Sequence, residues 1–133
     1  MRPLLAEGTA GVRAGIEKNQ AACEDDRKDY FEAMKIALDA LDILADRYRA
    51  LAEDKEKNSE GEAKERYRLM KETLEKVPAH GASNLFEAIQ SFILIWQTMC
   101  LEQTPNPFAF SVGNADRIFE PYRAKTNMSR EVA

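Results

Sequence analysis

The segment SNLFEAIQSFILIWQTMCLEQ, from Ser83 to Gln103, decides the fold. Between Phe92 and Trp96 its apolar residues follow one another so closely that little polar face remains. A helix that is apolar on every side has to be covered on every side. Polar residues interrupt the run, among them Glu87, Gln90, Ser91 and Gln97. They make the segment too polar and too short to span a bilayer, so it predicts the buried core helix of a soluble domain.

Three further helices precede this segment. Apolar residues at three- and four-residue steps predict a long second helix from about Asp25 to Asp54. A weaker first helix runs from Pro3 to about Glu24, and a third from about Glu62 to Lys76. The expected apolar stripe of the second helix consists of Tyr30, Phe31, Met34, Ala37, Leu38, Leu41, Leu44, Tyr48 and Leu51. These helices are too few to surround the fourth one, which suggests that the chain is part of something larger.

The stretch NPFAFSVGNADRIFEPYR, from Asn106 to Arg123, breaks the helical pattern. FAFSV predicts one short strand, Gly113 a turn, and ADRIF a last short helix that is interrupted at Pro121. Residues 124–133 have no periodicity and are expected to form a flexible tail. A single strand has nothing to pair with inside a helical chain, since even a two-stranded hairpin is marginal. It is expected to be extended and unpaired, or to pair with the same strand of a symmetric partner.

Composition limits the classes of function. The 133 residues make one ordinary domain, with 44% hydrophobic and 32% charged residues and a net charge of −4. Positive and negative charges alternate along the helices, so the basic stripe of a nucleic-acid surface is absent. Cys23 and Cys100 have neither pairing nor metal spacing, and no signal peptide is visible, which favours a reducing cytoplasm.

Few residues have the pattern of a catalytic or metal site. His80 is the only histidine and lies in the loop VPAHGAS. We interpret it as an exposed loop residue and not as a general base, although an imidazole could serve as one. The second helix also carries a set of acidic residues. Because Lys35, Arg47 and Arg49 lie between them, a salt-bridged surface is a better interpretation than a metal site. Those acidic residues are Glu32, Asp39, Asp42, Asp46 and Glu53. Trp96, Cys100 and the methionines are expected in the core, and Cys23 is expected to be more exposed.

Three segments together resemble, in order and spacing, part of the glycyl radical enzymes. They are DYFEAMKIALDALDILADRYRALAE, VPAHGASNLFEAIQSFILIWQTMCLEQ and FAFSVGNADRIFEPY. The resemblance covers about Glu24 to Tyr122, and its most specific part is NLFEAIQSF followed by SVGNAD and PY. It includes pyruvate formate-lyase and, closer to this sequence, the glycerol, choline and hydroxyproline dehydratase or lyase branch.

The residue pattern predicts a mainly α chain, with a bundle of four main helices, one short strand and a short C-terminal helix. The resemblance implies that this bundle is a fragment of a larger, ten-stranded α/β barrel. Residues 1–133 would be a single helical region of a pyruvate formate-lyase-like domain. In the dehydratase-like branch the segment similar to SVGNAD lies against the substrate, which carries Ser111 and Asp116 over as substrate-binding residues. The residue-level alternative is an ordinary strand serine and an aspartate that opens the last helix.

The same resemblance implies a radical reaction whose sequence motifs do not occur among these 133 residues. The family stores a radical on a backbone glycine, installed by a radical S-adenosylmethionine activating enzyme, and uses it in anaerobic metabolism to oxidise an active-site cysteine. No glycine of this chain is followed by tyrosine, and neither cysteine lies in a glycine-cysteine loop. Asn114 and Ala115 also stand where many relatives carry an arginine and an aromatic residue. The expectation is a fragment without catalytic residue, cofactor or metal of its own.

The expected partners are the remainder of the parent barrel or a second copy of the chain in a homo-oligomer, with neither nucleic acid nor membrane. A different class of function also fits the apolar surplus of the fourth helix. The chain could instead be a stand-alone helical module that binds a protein partner without catalysis.

Overall fold

A computed structural model describes residues 2–23, 27–103 and 113–126, without the side chains of residues 102 and 103. Within these ranges the chain is helical and contains no strand. The five helices are α1 (Arg2–Ala21), α2 (Lys28–Lys57), α3 (Gly61–Leu74), α4 (Leu85–Gln103) and α5 (Ala115–Lys125). The mainly α prediction is therefore confirmed. The predicted strand FAFSV lies outside the described residues.

Helix α1 has a kink that the sequence analysis did not predict. Gly8 has φ 72° and ψ −177°, a conformation that is essentially restricted to glycine. The two N–H groups after the kink, those of Thr9 and Ala10, donate to the carbonyls of Pro78 and Ala79 at 2.8 and 3.1 Å. The N–H of Ala82 donates to the carbonyl of Leu5 at 2.9 Å. The loop after α3 is thus bonded backbone to backbone onto the kinked helix.

Helices α2 and α3 form an antiparallel pair, since a short turn joins them. The side chain of Asn58 donates to the carbonyl of Asp54 at 2.8 Å at the end of α2, and Gly61, with a positive φ of 57°, begins α3. Lys71 of α3 donates to Glu56 of α2 at 2.7 Å. This ion pair is mostly withdrawn from solvent and links the two helices close to their connection.

The predicted stripe of α2 is correct only in its middle. Leu41 is buried, as are Ala45 and Ala52, two alanines outside that stripe. Five members of the expected stripe are instead exposed: Tyr30, Met34, Ala37, Tyr48 and Leu51. The physical reason is that α2 is longer than the helices packed against it and is apolar on more than one side. Spacing alone therefore did not identify the side that this chain covers.

Helix α4 is the central element of the core. It contributes Leu94 and Ile95 to a cluster with Leu41, Ala45 and Leu74 of α2 and α3. It contributes Ala88 to a second cluster with Leu5, Ile118 and Tyr122 of α1 and α5. The prediction that this helix organises the core is confirmed on these faces. Trp96, expected in the core, is substantially exposed, because no described element covers that side of α4.

Polar side chains cap the start of α4. The side chain of Asn84 accepts from the N–H of Glu87 at 2.9 Å, and the carboxylate of Glu87 accepts from the N–H of Ser83 at 2.6 Å. The second bond reaches one residue earlier than in the usual capping box. Lys76 donates to Glu87 at 2.7 Å and also to the hydroxyl of Ser83. These contacts hold the loop after α3 to the start of α4.

Helix α5 continues through Pro121, so the predicted interruption is wrong. Proline removes the hydrogen bond that would reach the carbonyl of Arg117, but this residue and Pro121 are both exposed, so water can satisfy that carbonyl. Thr126, in the predicted flexible tail, caps the helix, and its hydroxyl accepts from the N–H of Leu85 at 2.9 Å. Residues 127–133 of that tail lie outside the described residues. Among the described helices, none is both long enough and apolar enough to cross a membrane.

Candidate functional site

The two predicted substrate residues differ in what the structure describes. Ser111 lies outside the described residues, so its predicted role stays a prediction. Asp116 lies in the first turn of α5 and is exposed. Asn114 caps this helix, accepting from the N–H of Arg117 at 3.0 Å. An aspartate in this position is also favoured by the helix dipole alone, so placement by itself does not assign Asp116 to a substrate.

Asp116 borders a groove between α4 and α5, which run antiparallel. The N–H of Leu85, at the start of α4, donates to the hydroxyl of Thr126, just after the end of α5. Two turns further along α4, the ring of Phe92 packs edge to face on the ring of Phe119, with ring centres 5.7 Å apart. Ile118 and Tyr122 attach α5 to the core on its inner side. Toward the outside of the molecule, the two helices diverge and leave an open groove between them.

The groove has a volume of about 870 Å³. Apolar residues of α4 form one wall, and residues 115–123 of α5 form the other. The residues that line it are Leu85, Ile89, Phe92, Ile93, Ala115, Asp116, Arg117, Phe119, Glu120 and Arg123. The groove therefore combines an apolar floor with a charged rim, and every charged group of that rim belongs to α5.

Charges on the rim are partly paired. The guanidinium of Arg123 makes two hydrogen bonds of 2.7 Å to the carboxylate of Glu120, and these bonds raise the pKa of Arg123. Below the rim, burial raises the pKa of the Tyr122 phenol. Lys125 stands 5.9 Å from the centre of that ring, within the range of a cation–π contact. The rim thus offers a carboxylate at Asp116 and a fixed guanidinium at Arg123.

The wall contributed by α5 was missed by the sequence analysis. Arg117, Phe119, Glu120 and Arg123 were not singled out, although Asp116, Glu120 and Arg123 follow one another at four- and three-residue steps in DRIFEPYR. That spacing places three charges on one helix face. The expected break at Pro121 concealed the pattern, because a helix that ends there could not present Arg123 beside Glu120.

The other predicted candidates lie away from this groove. His80 is exposed, as predicted, and its backbone N–H donates to the carbonyl of Lys76 at 2.8 Å. Cys23 and Cys100 are free thiols, and both are half-buried, so Cys100 is less buried than expected. In the described ranges no group of three or more histidine, cysteine or acidic side chains is arranged to hold a metal ion.

The acidic residues of α2 form ion pairs and hydrogen bonds at the surface. Asp39 pairs with Arg13 at 2.6 Å, and Asp42 accepts from the buried hydroxyl of Thr9 at 2.7 Å, so both residues hold α1 to α2. Three further pairs lie within α2 itself: Glu32 with Lys35, Asp46 with Arg49, and Glu53 with Lys57. The hydrogen bond from Lys57 lowers the pKa of Glu53, and the bond from Lys35 lowers that of Glu32.

The groove can bind a molecule or a protein segment, but its described lining contains no histidine, cysteine or serine that could act as a base or nucleophile. Its chemical capacity is recognition through apolar contact, with a carboxylate and a guanidinium at the rim.

Comparison with known proteins covers almost the whole chain. A family model described as pyruvate formate lyase-like matches residues 1–130. The isethionate sulfite-lyase of Desulfovibrio desulfuricans is 30% identical over 110 residues, which are 82% of this chain and 13% of that enzyme. A solved structure concerned with 1,2-propanediol dehydration in Roseburia inulinivorans superposes with a TM-score of 0.80 at 26% identity. It covers 98% of this chain, while this chain covers 18% of it.

Proposed function

This chain belongs to the pyruvate formate lyase-like family, and from that premise we propose that it is a segment of a glycyl radical lyase or dehydratase. The segment supplies helical scaffold and one strand of the barrel, with Ser111 and Asp116 on the substrate side. By itself it carries out no turnover. Its partner is the remainder of the same polypeptide.

One observation carries this proposal. The chain superposes over nearly all of its length on a much larger protein, of which it represents 18%. It likewise spans 13% of the sulfite-lyase that it resembles in sequence. Relatives that keep the order and fold of these helices use them within a far longer chain. A complete active site of this class therefore needs residues that are not among these 133.

The radical chemistry is assigned to that remainder. A stored glycyl radical and a reactive cysteine would abstract hydrogen from the substrate, and neither sequence pattern occurs in this chain. What this chain contributes is position. Asp116, exposed at the rim of the groove, can accept hydrogen bonds from hydroxyl groups of a small polar substrate. We also assign the protein to the cytoplasm, an assignment supported by its two free thiols.

The proposal is tested first by the reading frame that encodes the chain. We expect it to continue downstream into a cysteine loop and a C-terminal glycine motif, with a radical S-adenosylmethionine activating enzyme encoded nearby. A frame that ends without either motif would refute the proposal. The stand-alone interaction module would then regain its place, although the family match over residues 1–130 does not favour it now.

The role of Asp116 is tested in the activated parent enzyme. Asp116→Asn removes a charged acceptor, so we expect turnover to fall by about tenfold or more, the loss of one charge-assisted hydrogen bond. The glycyl radical signal in electron paramagnetic resonance should keep its wild-type intensity. Glu62→Gln is the matched control, because Glu62 also lies in the first turn of an exposed helix, away from the groove. Equal turnover in the two variants would show that Asp116 only serves its helix.

A further inference from the structure

The outer side of α4 carries an apolar row that the described chain leaves open. We call it the outer stripe and define it as Phe86, Ile89, Ile93, Trp96 and Cys100. The first four are 47%, 38%, 40% and 41% exposed, and Cys100 is half-buried. Leu94, on the inner side of the same helix, is 1% exposed. Four large apolar residues in one row are more than scattered surface residues, and such a row marks a contact surface.

The groove between α4 and α5 extends this stripe sideways. Ile89 and Ile93 belong to both, and α5 supplies the opposite wall with Phe119 and the paired Glu120 and Arg123. Two antiparallel helices with an open apolar trough between them are the usual seat of a third helix, which packs its ridges into the groove. The paired Glu120 and Arg123 would then meet the polar flank of that helix, at the end of the groove away from Asp116.

The open trough between α4 and α5 suits a helix as the occupant, because a helix can lie lengthwise between two antiparallel helices. The members of the outer stripe follow one another at steps of three, four, three and four residues. This is the repeat of a helix seam, in which side chains of one helix fit between those of a neighbour that crosses at about 20°. The residues of a helical occupant that face α4 would repeat at three- and four-residue steps, whereas those of a strand would repeat every two residues.

From these observations, and resting on the proposed function above, we propose that one amphipathic helix of the same polypeptide, from the part beyond Ala133, packs lengthwise along the outer stripe. The occupant is assigned to the same polypeptide because the chain covers 18% of the structure that it superposes on, so most of such a protein lies outside these residues. The helix carries apolar residues at alternating steps of three and four toward α4.

The test uses a photoreactive amino acid in the parent polypeptide. It is placed in turn at Ile89, Ile93 and Trp96, and the cross-linked peptides are identified by mass spectrometry. We expect each position to cross-link to a single segment beyond residue 133, with the acceptor residues separated by three or four positions and in a consistent order. Placement at Arg66, an exposed residue of α3, is the control and should not cross-link to that segment.

Three results would overturn the inference. They are cross-links to acceptors spaced by two residues, cross-links to a second copy of the protein, and no enrichment over the Arg66 control. Isotopic labelling of half the molecules separates contacts within one chain from those between copies. A parent enzyme with both radical motifs but with one of these three results would keep the proposed function and reject the helix. The two proposals therefore fail separately.

A substitution gives a second, independent readout. Ile93→Glu should be accepted by residues 1–133 alone, where this side chain is partly exposed, with an unchanged circular dichroism spectrum. The same change should lower the yield of folded parent enzyme, since it would bury a charge against the proposed helix from beyond Ala133. Leu94→Glu is the internal control and should unfold both proteins. A parent enzyme that tolerates Ile93→Glu would contradict the inference.

Discussion

Gly8 and Gly81 show how two single residues fix the position of a whole loop. A Cβ at Gly8 would lie 2.4 Å from the carbonyl oxygen of Ala79, and one at Gly81 would lie 2.0 Å from the carbonyl oxygen of Ala6. Both obstacles are backbone atoms, which cannot rotate away as the end of a side chain can. The three backbone bonds between α1 and this loop depend on that close approach.

We therefore expect Gly8→Ala and Gly81→Ala each to lower the free energy of unfolding by about 3 kcal/mol. Gly15→Ala is the matched control: it lies in the same helix as Gly8 with nothing within 4 Å of its added Cβ, and should stabilise by about 0.5–1 kcal/mol. Urea unfolding of the four proteins measures this. The double variant should cost less than the two single changes together, because they open one contact. Equal effects at the three positions would contradict the close packing.

Ser91 is a buried hydroxyl for which the described residues provide no hydrogen-bond partner. Ser91→Ala should stabilise the chain by about 1 kcal/mol, since it removes a polar group that lost water without gaining a bond. Thr73→Val is the contrasting change, because the Thr73 hydroxyl donates to the carbonyl of Leu69 at 2.7 Å. It should destabilise by about 1 kcal/mol. Thermal unfolding decides the signs, and a loss of stability in Ser91→Ala would reveal a partner of that hydroxyl.

At the scale of the element, the cap of α4 makes stability depend on pH. Burial is the largest influence on Glu87 and raises its pKa, but the bonds from Lys76, from the Ser83 N–H and from Asn84 together outweigh burial and lower the pKa below the usual 4.5. A lowered folded-state pKa means that this contribution is fully present above pH 4.5. It is lost as the pH falls through the folded-state pKa.

Glu87→Gln should accordingly cost about 1–2 kcal/mol at pH 7. That difference from the wild type should shrink as denaturant unfolding is repeated at pH values from 5 down to 3. The comparison variant is Glu65→Gln: its surface pair with Arg68 leaves the carboxylate 63% exposed, so its removal at pH 7 should cost less than about 0.5 kcal/mol. A Glu87→Gln difference that is constant with pH would mean that the cap does not depend on charge.

Helix α5 carries its proline at a measurable cost. Pro121→Ala restores an N–H to the interior of the helix, and we expect a gain of about 1–3 kcal/mol, seen as higher helicity and a higher Tm. Ala124→Gly, at another exposed position of α5, should act in the opposite direction by about 1 kcal/mol. If Pro121→Ala lowered the Tm, the proline ring would have to make contacts that the exposure of Pro121 does not suggest.

At the scale of the whole molecule, the sequence predicted the helices better than their surroundings. All five helices followed from the spacing of apolar residues and from the positions of proline and glycine. The kink at Gly8 could not be predicted, because it depends on a loop about seventy residues away. The exposure of Trp96 was missed because periodicity shows which residues share a side, and the neighbours decide whether that side is covered.

The candidate site was predictable to a similar depth. The residues around Asp116 indicated the start of a helix, and resemblance to a family indicated a substrate. The groove itself depends on Phe92 and Phe119 meeting across two antiparallel helices, a distance that no local pattern contains. The charged wall of the groove could have been predicted from the spacing of Asp116, Glu120 and Arg123, had α5 been expected to continue past Pro121.

The close approach of the backbone at Gly8 to Ala79, and of the backbone at Gly81 to Ala6, has a consequence for comparing distant relatives. Replacing either glycine would disturb the same packing of α1 on the loop. We therefore expect homologues to keep both glycines or to lose both. Helix surfaces such as those of α2 and α3 can drift in sequence while their packing survives. In a remote homologue whose helices no longer align, a pair of glycines some seventy residues apart would be the more durable landmark for finding this part of the chain.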